Sequence, residues 1–146
     1  ATNLFFGLSE ALDMLFDEGM DQVFKRHKIH AEATRLAVQA WGLEVLCLEP
    51  QDYSNTLTAV LLPSGHDADK FRENVLQNYN MSLGNGLSKL SGKVFRIGHL
   101  GDFNDLMLVA TLGGIEMALG SSGIPHQAGG TSAAMQLLKE KNTNSF

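Results

Sequence analysis

The residue of this sequence best suited to bind a small acid is Arg96. It lies within the apolar run Val94-Phe95-Arg96-Ile97-Gly98, which predicts a central strand. A guanidinium is costly to bury unless a carboxylate or phosphate pairs with it, and its planar fork fits a carboxylate through two parallel hydrogen bonds. The run therefore predicts a site for a small carboxylate. Two alternatives stay open: the side chain alternates out to solvent, or it pairs with a nearby aspartate.

A loop rich in glycine and serine, at 84–92, precedes this strand. Its backbone N–H groups could close over a bound anion, but its glycine spacing matches neither the Walker pattern nor the dinucleotide fingerprint. A flexible hairpin connection is therefore the favoured interpretation. Within the loop, Lys89 could in principle form a Schiff base. Because nothing nearby predicts its burial, we expect a solvated lysine.

The spacing of histidine and cysteine does not predict a metal site. His27 and His30 can share a metal, but no third ligand follows at a convincing distance, so structural or surface roles are favoured. His99 follows the Arg96 strand and either lines a site or bonds to backbone in a turn, with the turn favoured. The single Cys47 rules out a disulfide within the chain and a thiolate metal cage, and we expect it to be a small core residue.

The elements that must position Arg96 follow from the hydrophobic periodicity. The predicted helices are 4–18, 20–41, 68–78, 103–119 and 131–141, and the predicted strands are 43–48, 57–62, 81–83 and 94–97. Residues 120–130 form a predicted linker, and the polar tail 142–146 is expected to fray. This order predicts an α+β fold in which helices pack on one face of a small, mainly antiparallel sheet, preceded by two helices.

Length and composition predict one compact globular domain. The chain has 146 residues, of which 44% are hydrophobic and 18% charged, and its formal net charge is −5. That acidic balance argues against a nucleic-acid binder, which usually presents a basic face. No apolar run approaches the roughly 18–20 residues that span a bilayer, and no secretory signal precedes the first helix, so we expect no membrane partner and a cytoplasmic protein. The chain lacks an initiator Met and looks as if it begins mid-protein.

The segment around Arg96 also resembles a known family. Gly92-Lys93-Val94-Phe95-Arg96-Ile97-Gly98-His99-Leu100-Gly101 is similar to the C-terminal signature of the class V pyridoxal-phosphate-dependent aminotransferases. The start of the chain, Ala1-Thr2-Asn3-Leu4 followed by Gly7-Leu8-x-Glu10-Ala11-Leu12, resembles the segment after that family's Thr-Pro turn, and residues 102–106 and 129–130 continue the match. Within the family, the pattern Arg-Ile-Gly-x-Leu-Gly is most similar to the enzymes that use serine or alanine with glyoxylate, and His99 favours serine.

The resemblance implies a homodimeric fold-type I transferase that moves an amino group from serine or alanine to glyoxylate through pyridoxal phosphate. Residues 1–41 would be the end of its large domain and the connecting helix. Residues 42–120 would be its C-terminal small α+β domain, and residues 121–146 a linker, a short helix and a polar tail. The arginine of the family's motif binds the substrate carboxylate, and the resemblance assigns that role to Arg96.

The resemblance places the family's other functional residues outside this chain. The lysine that holds the cofactor, the aspartate that pairs with its pyridine nitrogen and the aromatic residue that stacks on it all lie upstream of the matched region. The chain alone is therefore expected to hold no catalytic or cofactor-binding residue, to be inactive, and to expose apolar surface on its first two helices. Ser88 departs from the family, in which glycine is frequent at that position. The alternative is a stand-alone regulatory module that binds a small acid without catalysis.

Overall fold

The computed structural model describes residues 1–143, apart from the side chain of Asn142. Its helices are α1 (Thr2–Glu18), α2 (Met20–Ala40), α3 (Ala68–Tyr79), α4 (Asp105–Ser121) and α5 (Gly130–Thr143). Its strands are β1 (Glu44–Val45), β2 (Leu57–Leu61), β3 (Gly84–Asn85) and β4 (Val94–Gly98), and short 3-10 helices lie at Pro50–Asp52 and Ser88–Leu90. The five predicted helices are thereby confirmed. Helix α5 extends through Thr143, beyond the predicted end at residue 141, and the rest of the predicted tail lies outside the described residues.

The four described strands form one antiparallel sheet in the order β1-β2-β4-β3. In the register of the central strand β4, Arg96 lies opposite Ala59 of β2 and opposite Gly84 of β3. Directly paired residues of antiparallel strands point to the same face, so these three share one face, while Val60 and Phe95 share the other. The predicted α+β fold with a small antiparallel sheet is confirmed.

The core lies on the second of these faces. Val60, Phe95 and Ile97 are fully buried there, together with apolar side chains of α2, α3 and α4. Phe71 of α3 packs at a tilt on Phe95, with 4.9 Å between the ring centroids. We call the opposite side the arginine face. On strands β2, β3 and β4 it consists of Leu57, Ala59, Leu61, Gly84, Val94, Arg96 and Gly98. Most of these residues are half-buried or exposed, so the arginine face remains accessible.

The strand predicted at 81–83 is wrong, because β3 lies instead at Gly84–Asn85. The carbonyl of Leu83 accepts a hydrogen bond from Arg72 Nε of α3 at 2.8 Å, so it is used by a side chain rather than by the sheet. Pairing with β4 therefore begins only at the glycine that follows.

The strand predicted at 43–48 is shorter than expected, since β1 covers Glu44–Val45. The chain then turns into the 3-10 helix at Pro50–Asp52, which takes Cys47 away from the core. Cys47 is half-buried, and its thiol lies 3.6 Å from the carbonyl oxygen of Glu49. The prediction of a core cysteine is therefore wrong.

Helix α5 packs closely on α2, and its first turn is bound by a side chain of α4. A Cβ built on Gly130 would overlap the indole of Trp41 and the backbone of α2. The carboxylate of Glu116 accepts hydrogen bonds from the N–H of Gly129 and from the N–H and hydroxyl of Thr131, the latter two at 2.8 and 2.6 Å. Burial opposes the ionisation of Glu116, but these hydrogen bonds outweigh it and lower its pKa to about 2.

Helix α1 carries apolar side chains that the structure leaves exposed. All of its residues are described, and none of them is buried. Phe5 and Phe6 are each 71% exposed, and Met20 and Phe24 extend the exposed apolar surface onto the first turns of α2. The expected apolar surface on the first two helices is confirmed. Of the described helices, none is both long enough and apolar enough to cross a membrane.

Candidate functional site

Arg96 lies in the middle of β4, one of the two inner strands of the sheet. Because β4 is hydrogen-bonded to β2 on one side and to β3 on the other, the backbone that carries this side chain is held on both sides. The side chain is half-buried on the arginine face. Its two paired neighbours, Ala59 and Gly84, are small.

The guanidinium of Arg96 has no counter-ion in the described part of the chain. Its Nε is buried and makes no hydrogen bond to a described residue. The terminal nitrogens Nη1 and Nη2 likewise lack a partner among residues 1–143, and unlike Nε they are not buried. Pairing with a local aspartate, one of the two alternatives, is therefore contradicted. A guanidinium held in this way offers a planar pair of donors to an external carboxylate.

Gly84 lies directly against the side chain of Arg96. A Cβ built on this glycine would stand 3.0 Å from Arg96 Cβ, 3.1 Å from Nε and 3.5 Å from Cζ. The guanidinium thus folds back across β3, with its Nε side toward the glycine. Sequence reasoning placed Gly84 in a loop and missed this contact, although a glycine beside a strand is a known sign of close backbone approach.

The loop at 84–92 contains the short strand β3 and an ordered 3-10 turn. The N–H groups of Leu90 and Ser91 donate to carbonyls of the same turn, at 3.0 and 3.1 Å, so they are not available to an anion. A Cβ built on Gly86 would overlap the carbonyl of Leu90, so the turn needs a glycine there. Ser88 begins the turn with φ at 51°, in the left-handed region that favours glycine. That conformation explains why glycine suits position 88, at which this chain has serine and the class V aminotransferases that it resembles frequently have glycine.

Sequence and structure comparisons find proteins similar to this chain, although no protein-family model matches it. The serine–glyoxylate aminotransferase of Methylorubrum extorquens is 47% identical over 138 residues, which cover 94% of this chain and 34% of that enzyme. The L-aspartate–glyoxylate aminotransferase of Paracoccus denitrificans is 39% identical over 130 residues, which cover 89% and 33%. The crystal structure of ureidoglycine–glyoxylate aminotransferase from Bacillus subtilis matches 95% of this chain and 36% of its own, with a TM-score of 0.88 and 26% identity.

The chain is a relative of the class V aminotransferases. It spans about a third of the length of the curated relatives that it matches, and it corresponds to their C-terminal part. The resemblance that the Arg96 motif indicated is thereby confirmed. The fold likewise agrees with the C-terminal domain of a fold-type I transferase, as the motif implied.

His99 does not share a face with Arg96 in this class V relative. It is fully buried, with Nε2 2.9 Å from the hydroxyl of Thr58, and its backbone N–H donates to the carbonyl of Thr56 at 3.0 Å. Because Thr58 is paired with Ile97, it points into the core rather than to the arginine face. His99 therefore packs on the side of the sheet away from Arg96. The prediction that it bonds to backbone holds for its N–H group, but its ring is also part of the core.

His27 contacts the loop that follows β4 and His30 contacts the start of α4, which agrees with the structural role favoured for them. His27 Nδ1 lies 2.7 Å from the carbonyl of Val23, and its Nε2 accepts the N–H of Gly101 at 3.2 Å. His30 Nε2 lies 2.8 Å from a carboxylate oxygen of Asp105. Within residues 1–143 no group of three potential ligands is placed to hold a metal ion.

Arg26 also binds the loop that follows β4, and the sequence did not indicate this role. Its guanidinium binds both carboxylate oxygens of Glu18 at 2.6 Å and donates to the carbonyls of Gly101 and Phe103 at 2.8 and 3.0 Å. One side chain thus joins the end of α1, the body of α2 and the loop after β4. The loop partners lie more than 70 residues away in sequence, so no local pattern could have indicated them.

Proposed function

We propose that the protein containing this chain is a pyridoxal-phosphate-dependent aminotransferase that transfers an amino group from serine to glyoxylate. The observation that carries the proposal is the half-buried guanidinium of Arg96, which has no partner among the described residues and lies on an accessible sheet face. The class V relatives use glyoxylate with different amino acids, according to their names, which supports an amino acid and an oxo acid as the substrate pair.

Arg96 binds the carboxylate that the two substrates have in common. The α-carboxylate of serine and the carboxylate of glyoxylate present the same pair of oxygens, so one guanidinium serves donor and acceptor in turn. Two parallel hydrogen bonds fix the orientation of that end of the substrate as well as its position. The α-carbon, at which the amino group is exchanged, is thereby held at a constant place in both half-reactions.

The surroundings of Arg96 favour a donor with a single carboxylate. On β2, β3 and β4 every other residue of the arginine face is uncharged, and the charged Glu44 of β1 lies at the far edge opposite Leu61. Among the residues of these three strands, a second carboxylate, as in aspartate, would find no cation to pair with. Serine carries a neutral hydroxyl instead, so this chain supports serine over aspartate as the donor.

The residues of this chain do not fit the attachment of pyridoxal phosphate. A lysine that holds a cofactor covalently is activated by its surroundings, for instance by desolvation in a pocket. All lysines of this chain are instead exposed at the surface: Lys25, Lys28, Lys70, Lys89, Lys93, Lys139 and Lys141. We therefore assign the cofactor, which supplies the amino-group carrier when bound, to another part of the complete protein. The 146-residue chain alone is then inactive, and the complete protein is proposed to be a cytoplasmic homodimer, as the resemblance implied.

Replacing Arg96 tests the proposal in the complete protein loaded with pyridoxal phosphate. In Arg96→Ala, the KM for serine and the KM for glyoxylate should both rise about tenfold to 100-fold, because a charge-assisted bidentate bond contributes about 1.5–3 kcal/mol. Steady-state kinetics with each substrate varied in turn measures both constants. Lys89→Ala, which removes an exposed cation from the neighbouring loop, is the matched control and should leave both unchanged. Unaltered KM values in Arg96→Ala would overturn the assignment.

A stand-alone acid-binding module is the competing function, and calorimetry on the 146-residue chain separates the two. A module that senses a small acid binds it without further protein, so serine, glycine or glyoxylate would give a saturable heat. Under the proposed function the chain supplies only the carboxylate anchor of a larger site, and no saturable binding at millimolar concentrations is expected.

A further inference from the structure

We propose that Gly84 is a positioning residue that seats the Nε side of the Arg96 guanidinium, so that Nη1 and Nη2 form the edge that binds the substrate carboxylate. The inference rests on the proposed role of Arg96. Beyond that role, it concerns which edge of the guanidinium binds the carboxylate and how Gly84 fixes that edge.

Position 84 requires glycine because a side chain would not fit there, and not because its backbone needs the conformational freedom of glycine. Its φ lies outside the left-handed region, so an alanine could adopt the same backbone. A Cβ there would nevertheless stand 3.0 Å from Arg96 Cβ, an atom fixed to a strand that is hydrogen-bonded on both sides. At that distance one partner must move. The contact with Arg96 Cβ is relieved only by a small shift of the edge strand β3, whereas the contact with Nε, at 3.1 Å, is relieved by moving the outer part of the arginine side chain.

The orientation of the guanidinium leaves one edge for a ligand. A guanidinium can bind a carboxylate in two bidentate ways, along the side formed by Nε and one terminal nitrogen or along the end formed by Nη1 and Nη2. In this structure Nε is buried and Cζ lies over Gly84, so the side edge is closed. The terminal nitrogens are not buried, and the end edge is the one presented on the arginine face.

The turn after β3 holds Gly84 at this distance from Arg96. The close approach of Gly86 to the carbonyl of Leu90 and the left-handed backbone of Ser88 fold the chain back within a few residues. Glycine weakens a strand through its conformational entropy. Its presence opposite Arg96 is therefore accounted for by the arginine that it accommodates.

Gly84→Ala in the complete, cofactor-loaded protein tests the inference. The added methyl group displaces the guanidinium from its seat, which weakens its charge-assisted hydrogen bonds to the carboxylate of either substrate. We expect the KM for both serine and glyoxylate to rise about tenfold or more, with kcat changed less than about threefold, since the lost interaction is made with both bound substrates. Asn85→Ala is the matched control, because that side chain is exposed and belongs to the other face of the same strand. It should leave both constants within about twofold.

A crystal structure of the wild-type protein with α-methylserine provides a second test that needs no variant to fold. This donor lacks the α-proton and stays bound. Its carboxylate oxygens should lie within hydrogen-bonding distance of Nη1 and Nη2 and not of Nε. A carboxylate bound to Nε, or a folded Gly84→Ala with unchanged KM values, would overturn the inference. If Arg96→Ala raises the KM values but Gly84→Ala does not, only the role of Gly84 fails; if neither does, the proposed function fails as well.

Discussion

A histidine sealed in the core gives this domain a stability that depends on pH. Burial lowers the pKa of His99 to about 4, whereas an exposed histidine titrates near 6.5. Between these two values the unfolded chain binds a proton that the folded chain excludes. The free energy of unfolding therefore falls as the pH drops from about 6.5 to about 4, and the stabilisation from the neutral ring is fully present above that window.

His99→Asn should remove this part of the pH dependence. Asparagine can still bond to the hydroxyl of Thr58 but cannot be protonated, so the wild type should lose up to roughly 3 kcal/mol more than the variant between pH 7 and pH 4. Urea unfolding of both proteins at a series of pH values measures the difference. His66→Asn, in a half-buried loop position, is the control and should follow the wild type. Parallel curves for wild type and His99→Asn would contradict the prediction.

At the scale of elements, α5 depends on a carboxylate that belongs to α4. Glu116→Gln keeps the shape of the side chain but turns one acceptor oxygen into an N–H₂ group facing the N–H donors of Gly129 and Thr131. The free energy of unfolding at pH 7 should fall by about 1–3 kcal/mol. Because the pKa of Glu116 is lowered to about 2, its stabilisation is present above about pH 4.5 and disappears as the pH falls through 2.

Chemical denaturation at pH 7 and at pH 2 measures this effect on α5. The two proteins should differ at pH 7 and converge at the acidic end. Glu140→Gln removes an exposed carboxylate of α5 itself and serves as the control, with a change within about 0.5 kcal/mol. An equal loss in both variants would mean that charge, and not the hydrogen bonds to the first turn, is responsible.

The elements differ in how far their sequence predicts them. The helices follow from apolar spacing, and β2 and β4 from short apolar runs. β3 has no such pattern, because it consists of Gly84 and Asn85, and neither residue type favours a strand. Arg96 could be singled out as a cation within an apolar strand, but the sequence left open whether it pairs with a local aspartate or alternates out to solvent. The contacts of Gly84 with Arg96 and of Thr58 with His99 depend on strand register, which is set by pairing between distant segments.

At the scale of the whole molecule, the apolar surface of α1 should make the isolated chain associate. Exposed patches of this kind usually mark contact surfaces, and water favours their burial. We expect light scattering to give a mass that increases with concentration, together with fluorescence of a dye that binds apolar surface. Phe5→Ser with Phe6→Ser should reduce both, whereas Lys28→Ser on α2 should not. A monomer at all concentrations without dye binding would contradict the prediction.

The position of β4 has a consequence for the order in which the domain loosens on warming. A strand paired on both sides releases its amide protons only in large openings, whereas β1 at one edge and the unburied α1 release theirs in small, frequent ones. Amide deuteration should thus proceed from α1 and β1 inward and reach residues 95–97 last. A protein kept somewhat below its melting temperature retains the arginine anchor after its periphery has begun to exchange.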